Sequence, residues 1–301
     1  MKKKIVILDH IGGGRLANQL WNYMGLYSYC LEKNYALENY AFFDYINLFN
    51  IPYPTNPFIR FFLYTLNQIK FYRKLHVYDY FLRMARKILK NKILEDDRVN
   101  PFYLPPTSTS EPEIVLKNKT IYTSGWLFRN PVGIKKYREQ IIKYFKPKES
   151  ILKKVDSVIG PLREKYKNVV GVHIRQTDYK VWMNGKYYFS QDEVRKILNE
   201  YLKEFERKPE ETVFVICSDG NIDESIFSGL NIHLPKGNLA EDLFTLSKTD
   251  VIIGNDSTYS AFASYYGNIP FIVFEREGVE WDFYRDKSGY FENKKNVLVW
   301  Y

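Results

Sequence analysis

Val169-Val170-Gly171-Val172-His173-Ile174-Arg175-Gln176-Thr177-Asp178 is the stretch on which the reading of this chain turns. Its apolar start predicts a strand over 169–174, and a His, an Arg and an Asp are gathered at what is then the strand's carboxyl end. Ligands of open α/β sheets collect at that end. An Arg there offers a rigid fork of donors suited to a phosphate or carboxylate. Strand alternation puts His173 and Arg175 on one face and Ile174 on the other, so two donors can share a diphosphate. Taken alone, H-x-R-x-x-D describes a surface Arg beside an Asp equally well, so the rest of the chain has to decide.

Working outward, the second half alternates regularly. Helices are expected at 149–166, 191–206, 239–247 and 257–267, and further strands at 212–217, 250–253 and 270–274. Such alternation implies a mainly parallel sheet. The first half opens with a strand at 4–8, a glycine turn and a helix from about Arg15 to Lys33, in which Leu16, Leu20, Tyr23, Met24 and Tyr27 recur at helical spacing. That is the opening of a Rossmann-like unit. Residues 41–60, with Pro52, Pro54 and Pro57, read as an irregular connection. Thr120–Phe128 reads as a strand running into a turn, and one helix is expected from Pro131 to Phe145. Lys146-Pro147-Lys148 is the candidate linker, dividing the chain into domains 1–147 and 148–301.

Two segments accompany the central one. The first is Gly12-Gly13-Gly14-Arg15-Leu16-Ala17-Asn18-Gln19, where Gly13 and Gly14 let backbone approach a ligand at a helix N-terminus. The second runs from Glu241-Asp242 to Asn255-Asp256-Ser257-Thr258-Tyr259-Ser260, where Ser257 and Thr258 start a helix after a strand, a place that holds phosphate. Asn255-Asp256-Ser257 is also a good N-cap in its own right. Ser218-Asp219 closes another strong strand, again at its carboxyl end.

With all three segments in order, the chain resembles the fucosyltransferases that share an H-x-R motif. It is most like the α-1,2 enzymes of glycosyltransferase family 11, which are related to the α-1,6 and protein O-fucosyltransferases. Gly14–Gln19 is similar to their G-R-F-G-N-Q and G-L-G-N-Q, with Ala17 in place of a Gly. Gln176 stands where many members carry a second Arg, and Gly220 where they carry the last acid of S-D-D. The resemblance implies a GT-B-like α/β fold of two Rossmann-like domains facing a cleft, acceptor-side first and nucleotide-sugar-binding second. It implies an inverting transfer of fucose from GDP-fucose to a glycan hydroxyl, with an α-1,2 linkage the best match, and no metal or other cofactor. Catalysis would fall to Arg175, Asn18 and Asp178. The donor would be held by Gly13, Gly14, His173, Arg175, Ser218, Asp242, Ser257 and Thr258, with Asp242 accepting paired donors of a guanine edge. Asp178 is read either as the base or as a turn residue, with Asp9, His10 and Asp44 as further candidates for the base. The alternatives are the same fold with another nucleotide-sugar, and a non-catalytic glycan- or membrane-binding relative.

The bulk numbers agree with a packed enzyme: 301 residues, 45% hydrophobic and 17% aromatic. A net charge of +9 favours anionic partners, although the abundance of Lys, Asn, Tyr and Ile can reflect gene composition. Nucleic acid has only that charge in its favour and is not expected. Cys30 and Cys217 sit in apolar patterns and read as small core residues. The aromatic and basic stretch from Phe58 to Lys92 fits either amphipathic helices packed on the first domain or a face lying on an anionic membrane. The apolar run after the N-terminal lysines stops at Asp9, too short for a signal peptide. No run of eighteen apolar residues occurs, so a cytoplasmic location is expected, peripheral to the membrane if the basic stretch touches lipid and the acceptor is lipid-linked.

Overall fold

The structure is a computed structural model describing residues 2–10, 14–68 and 77–292. The chain divides after Lys148 into two compact units.

In the first unit, β1 (Lys4–Asp9) leads into α1 (Leu16–Lys33) and then β2 (Ala36–Asn39). Next come α2 (Pro57–Gln68), α3 (Val77–Leu89), β3 (Ile93–Glu95), β4 (Phe102–Tyr103), α4 (Glu113–Lys117), β5 (Thr120–Ser124) and β6 (Phe128–Arg129). The unit closes with α5 (Pro131–Lys136) and α6 (Arg138–Tyr144). Its main sheet has the order β2-β1-β5-β3, all parallel. β1 is central and almost wholly buried because Ile5-Val6-Ile7-Leu8 is apolar on both faces, as a parallel strand covered on both sides requires. Helices α2 and α3 cover one face: Leu63, Leu66 and Leu82 pack with Val6, Leu8, Tyr40 and Phe43. Each such leucine contributes roughly 1.5–3 kcal/mol by leaving water. α2 begins at Pro57, inside the stretch expected to be irregular, where proline fits the first helical turn. The single helix expected from 131 to 145 is two, broken at Tyr137 (φ −106°, ψ 23°).

The second unit begins with α7 (Glu149–Lys165) and β7 (Asn168–Ile174). It continues through α8 (Gln191–Glu204), β8 (Thr212–Ser218), β9 (Ile232–His233), α9 (Leu239–Leu246), β10 (Val251–Gly254), α10 (Thr258–Gly267), β11 (Phe271–Val273) and α11 (Trp281–Tyr284). Its five strands run parallel in the order β11-β10-β7-β8-β9. Val170, Val172, Ile174, Phe214, Ile216 and Ile253 form the sheet side of a core closed by α8. Register brings the ends level: Ile174 pairs with Ser218, and Gly254 with His173. Three loops therefore leave the carboxyl edge together, and each begins with a residue singled out in the sequence.

Among the described residues no helix is long and apolar enough to cross a membrane, and no group of three or more His, Cys, Asp or Glu is placed to hold a metal ion.

Candidate active site

Arg175 is the centre of the second unit's carboxyl edge, and its backbone is fixed before its side chain is considered. Its N–H donates to Asn255 Oδ1 (3.0 Å) from the loop after β10. From the loop after β8, Asp219 accepts the N–H groups of Gln176 (2.7 Å) and Thr177 (3.2 Å) and the Thr177 hydroxyl (2.6 Å). Asn255 also donates to the Tyr187 carbonyl (2.7 Å). Two polar side chains thus lock the turn after β7 from both sides.

The Arg175 guanidinium is half-buried. Its Nε and one terminal nitrogen donate side by side to Asp178 (2.9 and 2.7 Å), and its plane lies 4.7 Å over the Tyr179 ring. Burial opposes its charge, but the Asp178 bond, the Tyr179 ring and Asp219 outweigh that and raise its pKa above the ordinary value. Burial also works against the Asp219 carboxylate, whose hydrogen bonds from Thr177 and Gln176 prevail and hold it below the usual range. Asp178 is the exposed partner: its side chain is 44% exposed against 20% for Arg175. A fixed cation whose counter-ion faces water can exchange that carboxylate for a ligand anion.

His173 lies beneath this point. Its Nδ1 is 2.7 Å from Ser260 Oγ on α10, and its ring packs 4.8 Å from Tyr259. Burial, reinforced by Arg175, lowers its pKa to about 4, so the ring is neutral near pH 7. Ser257 is the N-cap of α10, accepting the Tyr259 N–H, and Thr258 is the first helical residue. Asn255 does not cap the helix, because its amide is spent on Arg175 and Tyr187.

Asp242 stands on the first turn of α9, which Asn238 and Glu241 cap reciprocally. Its Oδ1 is buried without a hydrogen-bond partner, and burial together with Glu241 raises its pKa to about 6. Gly237 crosses so close that a Cβ there would fall 2.3 Å from that oxygen. A buried acceptor left open is costly unless a donor arrives. Ser218 Oγ accepts the Gly220 N–H (3.1 Å).

Gln176 and Gly220, two of the three departures from the family pattern, stand against each other. The Gln176 side chain turns inward, donating to the Phe189 carbonyl (2.8 Å), and a Cβ on Gly220 would sit 2.7 Å from its Cβ. Arg175 accordingly has no second arginine beside it in the turn.

In the first unit, Gly13 lies outside the described residues, as do Ile11 and Gly12. Gly14 has φ +57°, a conformation natural to glycine, and a Cβ there would come within 3.0 Å of the Asn18 amide. Asn18 is on the first turn of α1 and half-buried. Asp9 and His10, weighed as bases, are both engaged. Asp9 is buried and accepts from Ser124 and from Arg86 at 3.0 Å. The fully buried Asn22 accepts the Phe128 N–H, so its amide nitrogen must donate, and it lies 3.2 Å from His10 Nδ1. That leaves His10 no lone pair to take a proton, and burial lowers its pKa to about 3. Asp44 stays in the turn after β2.

Sequence reasoning passed over two residues. Tyr179 supplies the ring under Arg175. Asp256 follows the strand-end Asn255, and burial, with Glu275 adding, raises its pKa to about 7. The available signal for Asp256 was an acid immediately following a buried strand and its Asn.

Two α/β units, each built on its own parallel sheet, make the chain a protein of GT-B fold. The family model for glycosyl transferase family 11 matches residues 115–274, a little more than half of the chain. The protein belongs to glycosyl transferase family 11, a family of fucosyltransferases. Similar folds occur in POFUT1 in complex with GDP (TM-score 0.54, 12% identity, covering 91% of this chain and 98% of that one). The NodZ α-1,6-fucosyltransferase of Bradyrhizobium, soaked with GDP-fucose, is alike at TM-score 0.55 and 13% identity, covering 93% and 97%. A mutant of Arabidopsis thaliana FUT1 in complex with GDP follows at 0.53 and 12%, covering 96% and 74%. At such identity the likeness is one of fold. No curated protein matches the chain.

Proposed function

We propose that this protein is an inverting fucosyltransferase that moves fucose from GDP-fucose to a glycan hydroxyl. The observation that carries the reading is Arg175: a half-buried guanidinium at the end of β7, held in a locked turn and paired with an acid that faces water. Membership of family 11 supports the donor class. In the proposed reaction the diphosphate replaces Asp178 on the guanidinium, with Ser257, Thr258 and the N-terminus of α10 beside it and Ser218 on the neighbouring edge. His173 lies under these contacts and holds α10 through Ser260. Asp242 receives the guanine donors. Gly13, Gly14 and Asn18 of the first unit serve the donor phosphate and the acceptor hydroxyl.

The acceptor oxygen forms its bond to the anomeric carbon as the bond from that carbon to the diphosphate oxygen breaks, and its electron pair leaves with GDP. The hydroxyl proton passes to Asp178, freed by the exchange. Charge grows on the leaving diphosphate as the bond opens, so a fixed cation stabilises the transition state more than the bound donor. The first unit is the acceptor-side domain and the second the nucleotide-sugar domain. The linkage is α-1,2 and the acceptor a surface-polysaccharide oligosaccharide on a lipid carrier, met at the cytoplasmic face of the membrane.

Calorimetric titration with GDP and with UDP, without added metal, tests the donor. Selective GDP binding, abolished in Arg175→Ala, is expected. Preference for UDP, or binding of neither, overturns the reading. Arg175→Ala should lower turnover by two or more orders of magnitude with the fold intact; a loss near tenfold removes Arg175 from its leaving-group role.

A further inference from the structure

Helices α2 and α3 each carry two apolar stripes, and only one of each is used inside the protein. Leu63 and Leu66 of α2 and Leu82 of α3 face the sheet, with Ile59, Phe62, Tyr78, Phe81 and Ala85 packed around them. The helices also touch each other, Phe62 against Phe81 at 5.2 Å. Two anchors fix α3: the Tyr78 hydroxyl donates to the Leu8 carbonyl (2.6 Å) and Arg86 reaches Asp9 (3.0 Å). Since both helices cover the same face of one sheet, their opposite sides look outward together.

That outer side is apolar where solvent would favour polar groups. On α2, Phe58 and Phe61 are 83% and 71% exposed; on α3, Tyr80, Met84 and Ile88 recur at intervals of four with exposures of 67%, 50% and 76%. Interval four makes one straight ridge. Arg83 and Lys87 flank the ridge, Arg60 stands beside Phe61, and Lys90 and Lys92 follow, all exposed. Asp79 is the sole acid of the sequence between Pro57 and Lys92. Beside α2 a shallow recess of about 320 Å³ is lined by Tyr53, Pro57, Arg60, Phe61 and Tyr64, joining an aromatic floor to a cation. Large exposed apolar patches mark interaction surfaces. A protein partner would meet this one with complementary acids at fixed points, whereas long Lys and Arg side chains around aromatic and aliphatic ridges suit a fluid, anionic interface into which the apolar groups sink.

We propose that the outward faces of α2 and α3 form a docking surface for an anionic lipid bilayer. Phe58, Phe61, Tyr80, Met84 and Ile88 enter the headgroup boundary, and Arg60, Arg83 and Lys87 meet lipid phosphates. The inference deepens the reading above, resting on it for the lipid-borne acceptor, while the surface itself stands on exposure and charge. The dock is on the unit proposed to take the acceptor, so it would bring that unit to the plane where the acceptor lies.

The test is sedimentation of the full chain with vesicles of phosphatidylcholine alone and with one third phosphatidylglycerol, alongside GDP titration of the same preparations. Binding to the anionic vesicles only, weakened by salt and reduced at least tenfold in Phe61→Ser/Ile88→Gln with GDP binding unchanged, is expected. Arg83→Glu/Lys87→Glu should lose the anionic preference in the same way. Absence of vesicle binding by the unaltered chain, or binding unaltered in both variants, overturns the proposal, as does self-association that the Phe61→Ser/Ile88→Gln pair abolishes. Vesicle binding without GDP binding would instead sink the donor reading and leave this one standing.

Discussion

Each unit places an Arg–Asp pair at the carboxyl end of a parallel strand, and the two pairs are built for opposite ends. In the first, Arg86 reaches across from α3 to Asp9 at the end of β1, and the acid is the buried member, bonded also by Ser124. In the second, Arg175 and Asp178 are three residues apart, and the acid is the exposed member. A buried carboxylate needs its cation permanently, because losing it leaves a charge in a poor solvent. An exposed carboxylate on a half-buried cation can be given up, since water receives it. The side on which burial falls therefore separates a structural ion pair from one that a ligand can open.

Breaking each pair should expose that difference. Asp178→Asn is expected to lower turnover by about 10²–10⁴, the usual worth of a general base, while GDP binds several-fold more tightly because the competitor for the Arg175 fork is gone. Turnover and calorimetry on one preparation read both; weaker GDP binding would break the competition argument. On the other unit, Arg86→Ala should cost about 1–3 kcal/mol of stability, less than a fully buried pair because Arg86 is itself partly exposed and Ser124 remains to Asp9. Urea unfolding measures it, and GDP affinity should stay as it was.

Asp242 sharpens the contrast from a third position, as a carboxyl with no cation paired to it among the described residues. Burial raises its pKa to about 6, so it is ionised above that pH and protonated below. If the ligand binds only the ionised form, the GDP dissociation constant should rise about tenfold for each pH unit below 6, each unit being worth about 1.4 kcal/mol. The sign follows from the carboxylate being the acceptor. A flat profile from pH 7 to 5, or the same slope in Asp242→Asn, would remove Asp242 from the ligand.

The fold was legible wherever apolar runs or helical periods were long. β7, β8 and β10 are near-continuous apolar runs because both their faces are covered, and α1, α7 and α8 carry clear helical spacing. The short edge strands β2, β3 and β9 were not seen, because Ala36–Asn39, Ile93–Glu95 and Ile232–His233 have no pattern of their own and exist through pairing with a neighbour. The break at Tyr137 left no signature either: no proline or glycine stands at that position. At the site, Arg175, Ser257 and Thr258 are marked by their places after strands and at a helix start, whereas Asp242 stands out only through the resemblance of its segment to the family. The clamp was invisible, because Asp219 and Asn255 reach Arg175 and its neighbours across 43 and 80 residues, and only the level ends of three strands bring them together.

The contact between Gln176 and Gly220 bears on how this enzyme can change. With a Cβ at 220 coming 2.7 Å from the Cβ of residue 176, an atom that every residue but glycine carries, an acid can stand at 220 only if the backbone of one of the two turns shifts. An arginine at 176 would in turn have to abandon the inward path that ends on the Phe189 carbonyl. The two changes therefore meet different obstacles, a backbone clash at 220 and a lost hydrogen bond at 176. A lineage or an engineer moving towards a second arginine can leave Gly220 as it is and has only the Phe189 bond to replace.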